Sequence, residues 1–191
     1  MVFILLLLLT TPALCDPAKD LFSAIQNGRD DLVAVELELL TKDLGNLETV
    51  VNSRDPGSGQ TPLMMSVLRG REEVVRLLLA VPQVDATIPE KEGYTPFHGA
   101  GFQGRAEIAR LLLKDSRQLD PEDKHSDGFQ PLHRACWGQE PRHAETVAVL
   151  VEEGGVPWDS RAKGKTCMEI THNAKTKAWL KKWASKQNKE L

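Results

Sequence analysis

Thr61-Pro62-Leu63-Met64 and Thr95-Pro96-Phe97-His98 are two versions of one short pattern, and they begin 34 residues apart. A third version, Gln130-Pro131-Leu132-His133, begins 35 residues after the second, and Thr166 opens a degraded fourth. A fixed period of roughly 20 to 50 residues is typical of solenoids, in which one supersecondary unit is repeated along the chain. The pattern therefore predicts a stack of repeats.

A second helical pattern follows each of the first three copies. Residues 71–79 read REEVVRLLL, residues 105–113 read RAEIARLLL, and residues 143–151 read HAETVAVLV. The apolar residues recur at a spacing of three to four, which indicates a helix with one buried stripe. Each unit is therefore predicted to be a helix, a turn and a second helix.

The ends of the first helix in each unit also carry suitable residues. Thr61 and Thr95 are predicted to cap it through their hydroxyls, and Gly70 and Gly104 to end it, because glycine tolerates the left-handed conformation. Proline is favoured at the first helical position, where a backbone N–H is not needed. The prolines predicted there are Pro62, Pro96 and Pro131.

The period and the TPLH-type motif resemble the ankyrin repeat. The resemblance implies an all-α solenoid of about five helix–turn–helix units with short finger turns, spanning residues 18–184. Residues 21–40 are interpreted as a divergent first unit, and the unit from Thr166 as the last. Divergent end units are expected, because they cap the stack.

In ankyrin repeats the histidine of the motif bridges the threonine and neighbouring backbone. The resemblance assigns this role to His98 and His133, although Gln130 replaces the threonine in the latter unit and leaves that bridge open. No H-E-x-x-H or C-x-x-C spacing supports a zinc site, so these histidines are predicted to be structural. The predicted structural signature consists of Thr61, Pro62, Thr95, Pro96, His98, Pro131 and His133.

No catalytic site and no cofactor are predicted. Cys136 lies near His133 in sequence and is the one nucleophile–base pair to consider, but the repeat places it on the packed side of a helix. Cys136 and Cys167 are interpreted as small core residues, and a single disulfide between them stays open. A disulfide-stapled secreted scaffold would carry more cysteines.

By resemblance to ankyrin repeats, the concave face is formed by finger tips and by residues late in each first helix. The predicted partner-binding residues are Leu68, Tyr94, Phe102, Phe129 and Trp137. Aromatic anchors with a polar rim are typical of protein-binding hot spots. The competing interpretation is that some of these aromatics pack between repeats. The predicted rim residues are Arg54, Lys91, Glu92, Lys124 and Asp127.

Residues 1–15 are predicted to be a leader outside the fold. Val2–Leu9 is wholly apolar, a break follows at residues 10–12, and Ala13-Leu14-Cys15 resembles a small-residue cleavage site. A location in the secretory pathway or outside the cell is expected. One alternative is a hydrophobic leader that is retained on a cytoplasmic protein. The other is retention in the endoplasmic reticulum lumen, because the sequence ends in Glu-Leu, as the usual C-terminal retention signal does.

Residues 185–191 are predicted to be a polar tail. The helix before them is rich in lysine around Trp179 and Trp183, and it is interpreted as a cap that buries its tryptophans. An enlarged inter-helix loop is expected at residues 137–142. A net charge of −3 argues against a nucleic-acid binder.

Taken together, these features predict a monomeric, non-catalytic scaffold that binds a protein partner of unknown identity. The alternative is a membrane-surface adaptor held by the leader or by the lysine- and tryptophan-rich helix. A third hypothesis is an accessory domain of an enzyme with a hidden site.

Overall fold

A computed structural model describes residues 16–42 and 45–187 of the chain. Its helices form successive antiparallel pairs, and the unit predicted at residues 21–40 is the first pair. The helices are α1 (Pro17–Gln26), α2 (Asp30–Lys42), α3 (Leu47–Val51), α4 (Pro62–Arg69), α5 (Glu72–Leu79), α6 (Pro96–Gln103), α7 (Ala106–Leu113), α8 (Pro131–Trp137), α9 (Pro141–Glu152), α10 (Cys167–Ile170) and α11 (Ala174–Gln187).

Ten of these helices pair to make the five repeats, α1–α2, α4–α5, α6–α7, α8–α9 and α10–α11, and the short helix α3 follows the first pair. First helices pack on first helices, and second helices pack on second helices, from each repeat to the next. Each hairpin can bury its apolar stripe only against its neighbours, so the core runs along the stack. The second helices contribute fully buried residues such as Val74, Ile108 and Leu150.

The first helices of the three regular repeats begin at Pro62, Pro96 and Pro131, as predicted. Gly70 and Gly104 end two of them in the left-handed conformation, with φ of 69° and 67°. The sequence therefore located these helix ends correctly.

The threonine caps are only partly as predicted. The Thr61 hydroxyl accepts a hydrogen bond from the backbone N–H of Met64 at 3.2 Å. Thr95 makes no such cap, and its hydroxyl lies 2.8 Å from Nδ1 of His98 instead. The prediction for Thr95 was wrong because the imidazole competes for the hydroxyl, which the Met64 side chain cannot do.

The last finger departs from an all-α fold. Arg161–Ala162 and Lys165–Thr166 form a two-stranded antiparallel sheet, β1 and β2. Lys163 and Gly164 connect them with φ of 50° and 79°. Two positive φ values match the twist of a tight hairpin, so this finger closes as a small β-turn.

The loop predicted at residues 137–142 is shorter in the structure. Trp137 is the last residue of α8, and Pro141 already begins α9, so only residues 138–140 lie between the helices. Proline at the first helical position converts most of the extra residues into an additional helical turn. The loop is held from the last repeat, because the side-chain amide of Asn173 donates to the carbonyls of Gly138 at 3.1 Å and Glu140 at 2.9 Å.

The bridge between the two described cysteines is present. Cys136 in α8 and Cys167 in α10 form a disulfide, with their Cα atoms 5.6 Å apart. Both residues are fully buried, as the prediction of core positions required. The fifth repeat is therefore joined covalently to the fourth.

The first repeat is joined to the second by an arginine. Nη2 of Arg71 donates to the carbonyl of Gly28 at 2.7 Å and to Oδ1 of Asp30 at 2.6 Å. The guanidinium also lies within 2.9 Å of the place where a Cβ on Gly28 would stand. Glycine at residue 28 is therefore needed both for its φ of 69° and for this close approach.

The predicted leader, residues 1–15, lies outside the described residues. At the other end α11 continues to Gln187, so the predicted polar tail of residues 185–191 begins inside a helix. Across residues 16–42 and 45–187, no helix has both the length and the apolar character needed to cross a membrane.

Candidate protein-binding site

The five predicted partner-binding residues lie together on one face of the stack. Leu68, Tyr94, Phe102 and Trp137 line a single cavity of about 450 Å³. The fifth residue, Phe129, packs edge-on against Trp137, with ring centroids 4.8 Å apart. The sequence therefore placed these residues correctly relative to one another, and partner binding by them stays a prediction.

The register of the repeats explains this convergence. Leu68, Phe102 and Trp137 are the eighth residues counted from the first residue of the motif, in three successive repeats. Tyr94 and Phe129 stand directly before the motif, at the base of two successive fingers. Since neighbouring repeats stack in the same orientation, equal positions line up along one face.

Gly99 allows Met64 and Leu68 to approach closely in the middle of this face. A Cβ at Gly99 would lie 3.1 Å from Cε of Met64 and 3.3 Å from Cδ2 of Leu68. The neighbouring repeats carry Met65 and Arg134 at the same position of the motif. Glycine at residue 99 therefore leaves room for Met64 and Leu68, and all three residues line the cavity.

Arg134 is the central residue that sequence reasoning missed. Its side chain is only 5% exposed. Its guanidinium carbon lies 4.7 Å from the ring centroid of Tyr94, 5.3 Å from that of Phe129 and 4.5 Å from that of Trp137. A cation within about 6 Å of an aromatic ring is attracted to its face. Arg134 therefore holds three of the five predicted aromatic and aliphatic residues in one cluster.

Asp127 and His125 complete the support of Arg134. Nη2 of Arg134 donates to the Asp127 carboxylate and, at 3.3 Å, to the hydroxyl of Tyr94. His125 stacks on Tyr94 with centroids 4.0 Å apart. Burial of Asp127 acts to raise its pKa, but the hydrogen bonds from Arg134 and His125 outweigh this effect and lower the pKa. Asp127, predicted at the rim, is thus an internal partner of the site.

The same contacts shift the pKa of His125. Burial acts to lower its pKa, while the Glu92 carbonyl, 2.7 Å from Nε2, and the Asp127 carboxylate raise it, and the net change is upward. Both of these oxygen groups favour the protonated form of the imidazole.

Glu90 lines the same cavity but is engaged in its own finger. Its Oε1 accepts hydrogen bonds from the backbone N–H groups of Glu92 at 3.0 Å and Tyr94 at 3.1 Å. Burial acts to raise the pKa of Glu90, but hydrogen bonding with the Glu92 side chain, together with these backbone hydrogen bonds, brings the pKa below its usual value. The carboxylate therefore stabilises the turn that positions Tyr94.

His98 and His133 bridge repeats as the resemblance implied. Nε2 of His98 donates to the carbonyl of Phe129 at 3.1 Å, and Nε2 of His133 donates to that of Ser160 at 3.1 Å. In the latter repeat Nδ1 accepts from the backbone N–H of Gln130 at 3.4 Å, so the bridge survives without a threonine. Burial lowers the pKa of both histidines.

Arg54, a predicted rim residue, connects two fingers. Its Nη1 donates to the carbonyl of Pro89 at 2.7 Å and to that of Gly59 at 3.2 Å. Lys91 and Lys124 are exposed, as a rim requires. Among the described residues, no group of three or more histidine, cysteine or acidic side chains could hold a metal ion.

The stacked helical hairpins, their finger turns and the aromatic cluster on one face define the class of the molecule as a helical repeat protein. Comparison with protein families agrees: the ankyrin repeat pattern, in three copies, matches residues 7–125 and 83–162. The chain belongs to the ankyrin-repeat family. Repeats of this family generally mediate protein–protein interactions.

One characterised relative is the palmitoyltransferase AKR1 of the yeast Lachancea kluyveri. It is 31% identical over 94 residues, which are 49% of this chain and 12% of that protein. The matched segment thus spans about one eighth of the length of the palmitoyltransferase.

Proposed function

We propose that the chain is a monomeric, non-catalytic scaffold that binds a protein partner through the concave face of its middle repeats. The observation that carries the proposal is the exposure of large apolar side chains beside the cavity, 54% for Phe102 and 37% for Trp137. Exposed apolar groups with a polar rim mark interaction sites on soluble proteins.

The rigidity of the site also supports the proposal. Arg134 is buried among three rings and paired with Asp127, and Tyr94 is held by Glu90 through its backbone. Side chains that are already ordered lose little conformational entropy when a partner binds. A face of this kind can bind tightly without rearrangement.

The test is affinity capture from the native source with quantitative mass spectrometry. The variant Phe102→Ala/Trp137→Ala removes the two exposed rings. The matched control is Leu32→Ala/Leu39→Ala, because these residues are 42% and 48% exposed on α2, in a different repeat. The proposal requires a partner that is captured by the wild type and the control and lost with the first variant. Equal capture by both variants contradicts it.

We also propose that the protein works in an oxidising compartment of the secretory pathway. The buried disulfide between Cys136 and Cys167 supports this location, because such bonds persist in oxidising compartments and are rare in the cytosol. The predicted leader agrees with it. Alkylation of native protein without reductant tests the bond, and N-terminal sequencing tests whether the mature chain starts at Asp16. Free thiols in the native protein contradict the proposal.

A second candidate function is attachment to an anionic membrane surface through α11. Trp179 and Trp183 stack with centroids 5.4 Å apart, and Lys186 lies 5.4 Å from the Trp183 ring. No described acidic side chain forms an ion pair with the lysines of this helix, Lys175, Lys177, Lys181, Lys182 and Lys186. Basic helices with aromatic residues bind anionic lipids.

Flotation with phosphatidylserine vesicles tests this second candidate. The wild type is expected to float, and Lys181→Gln/Lys182→Gln/Lys186→Gln to remain in the dense fraction. Wild-type protein that stays unbound at low salt rules the candidate out. Both tryptophans also pack against the core, which favours the capping role and the first proposal.

A further inference from the structure

The cavity at Gly99 selects the chemistry of its occupant. We propose that it receives one uncharged, apolar side chain of about leucine or phenylalanine size from an extended segment of the partner protein, and that Arg134 donates a hydrogen bond to a backbone carbonyl of that segment. This inference rests on the proposed function and specifies what the face binds.

The size of the cavity sets the first condition on the side chain that occupies it. Its volume of about 450 Å³ lies within the range of small ligand pockets, roughly 300–1,000 Å³, and leaves room for one large side chain with adjoining backbone. Gly99 forms part of the wall of this space, and a Cβ there would press on Met64 and Leu68, which also line it, at 3.1–3.3 Å. Only one of the three regular repeats has glycine at this position, so a single anchor residue is expected.

The walls set the second condition. Met64, Leu68, Phe102 and Trp137 present apolar surface to the cavity. Met64 is buried and flexible, so it can adjust to branched and to aromatic occupants alike. When an apolar side chain enters the cavity, its surface leaves water and contacts these apolar walls. This burial contributes a favourable hydrophobic free energy of binding.

The charges at the cavity set the third condition. Two charged groups line it, and each already has internal partners. Arg134 is paired with Asp127, and Glu90 accepts two backbone hydrogen bonds. A charged side chain would lose its hydration here without meeting a free opposite charge, which is costly. The cavity therefore discriminates against lysine, arginine, aspartate and glutamate.

The donors of Arg134 set the fourth condition. Its hydrogen bonds to other described residues all run through Nη2. Nε is enclosed without a partner, and Nη1 makes no hydrogen bond to a described residue and is not enclosed. A neutral backbone carbonyl can satisfy Nη1 without adding charge beside Glu90. An extended segment offers such carbonyls, whereas a helix uses its carbonyls internally.

The test starts from a random peptide library displayed on phage and selected on the full chain. Enriched peptides are synthesised, and their affinities are measured by calorimetry. Each peptide is compared with versions in which the common residue is replaced by alanine, lysine or aspartate. The protein variants are Gly99→Met, which fills the cavity, and Leu32→Ala/Leu39→Ala as control. Thermal unfolding verifies that each variant is folded, and Gly99→Ala serves as a smaller filling variant if Gly99→Met is not.

The expected result is one shared apolar position in the enriched peptides. Replacement of that residue by lysine or aspartate should weaken binding at least tenfold, and so should Gly99→Met, while Gly99→Ala weakens it about threefold and the control does not. To test the carbonyl contact, the peptide amide beside the anchor is replaced by an ester, which accepts hydrogen bonds more weakly. This ester is expected to bind less tightly than one placed at the end of the peptide.

Two outcomes overturn the inference in distinguishable ways. If peptides bind Gly99→Met as tightly as wild type but fail to bind Phe102→Ala/Trp137→Ala, the cavity is not the anchor site and the proposed function stands. If neither change affects the peptides, the inference and the proposed function both fail. A library that yields no enriched peptide also counts against the inference.

Discussion

Cys136 and Cys167 join the first helices of the fourth and fifth repeats through a disulfide. The same two positions of the motif face each other one repeat earlier, where they are occupied by Gly101 and Pro131. A Cβ on Gly101 would lie 2.3 Å from the carbonyl oxygen of Pro131. The disulfide therefore lies at a pair of positions that is also in close contact between the third and fourth repeats, where there is no disulfide.

Reduction of this disulfide is expected to destabilise the protein. The two cysteines are 31 residues apart, and closing a loop of this length is worth about 3–4 kcal/mol by the chain-entropy model. Urea unfolding with and without dithiothreitol measures the effect. The variant Cys136→Ala/Cys167→Ala should be insensitive to the reductant. Identical unfolding of the wild type in both conditions would mean that the bond adds nothing to stability.

Gly99 and Gly101 are expected to respond in opposite ways to alanine. At Gly99 the new Cβ meets the flexible end of Met64, and the helix gains up to about 1 kcal/mol from the better propensity of alanine. At Gly101 it meets the rigid backbone of Pro131, and overpacking should cost about 1–3 kcal/mol. Thermal unfolding of the two variants provides the comparison. A stable Gly101→Ala protein would show that α6 and α8 can separate without cost.

Asp127→Asn should weaken the support of Arg134. The variant leaves a buried guanidinium without its ionic partner, and because Asp127 is 29% exposed we expect a loss of about 1–3 kcal/mol. Its pKa is lowered in the folded state, so the unfolded state takes up the proton first and the stabilisation disappears as the pH falls below about 4. Unfolding titrations at pH 7 and pH 3.5 should show a larger loss for wild type than for Asp127→Asn. The exposed Asp159→Asn serves as the control for the substitution itself.

The buried histidines should make the protein less stable in mild acid. Burial lowers the pKa of His98 and of His133, so only the unfolded chain is protonated as the pH falls through about 6.5. His125, whose pKa is raised, acts in the opposite direction and reduces the net effect. His98→Gln should be less stable at pH 7.5 by about 1–2 kcal/mol through lost hydrogen bonds. It should also lose less stability than wild type between pH 7.5 and pH 5.5, which urea unfolding can measure.

The regular part of the fold was predictable because local rules decide it. Proline fixes the first turn, glycine ends the helix, and the apolar spacing of the second helix defines the buried side, so α4 to α9 were predicted with their pairing. No periodic sequence pattern predicts the short helix α3 or the hairpin at residues 161–166. Both depend on packing between repeats and on turn geometry.

The site was predictable to the extent that it follows the register of the motif. Leu68, Phe102 and Trp137 were found because they share one position, and so were Tyr94 and Phe129. Arg134 was missed because a charged residue at a core-facing position has no pattern of its own. The three residues at that position are Met65, Gly99 and Arg134. A comparison of them would have shown that Gly99 lacks a side chain and that Arg134 is charged.

The disulfide also determines how the stack comes apart. Solenoids fray from their ends, because an end repeat has a single neighbour. The fifth repeat is covalently bound to the fourth, whereas the first is attached through noncovalent contacts such as those of Arg71. Local opening should therefore begin at the N-terminal repeat, and hydrogen exchange of backbone amides should slow progressively from α1 towards α8. Among the described repeats, the first is thus held by noncovalent contacts and the last by a covalent bond, and reduction would remove this difference.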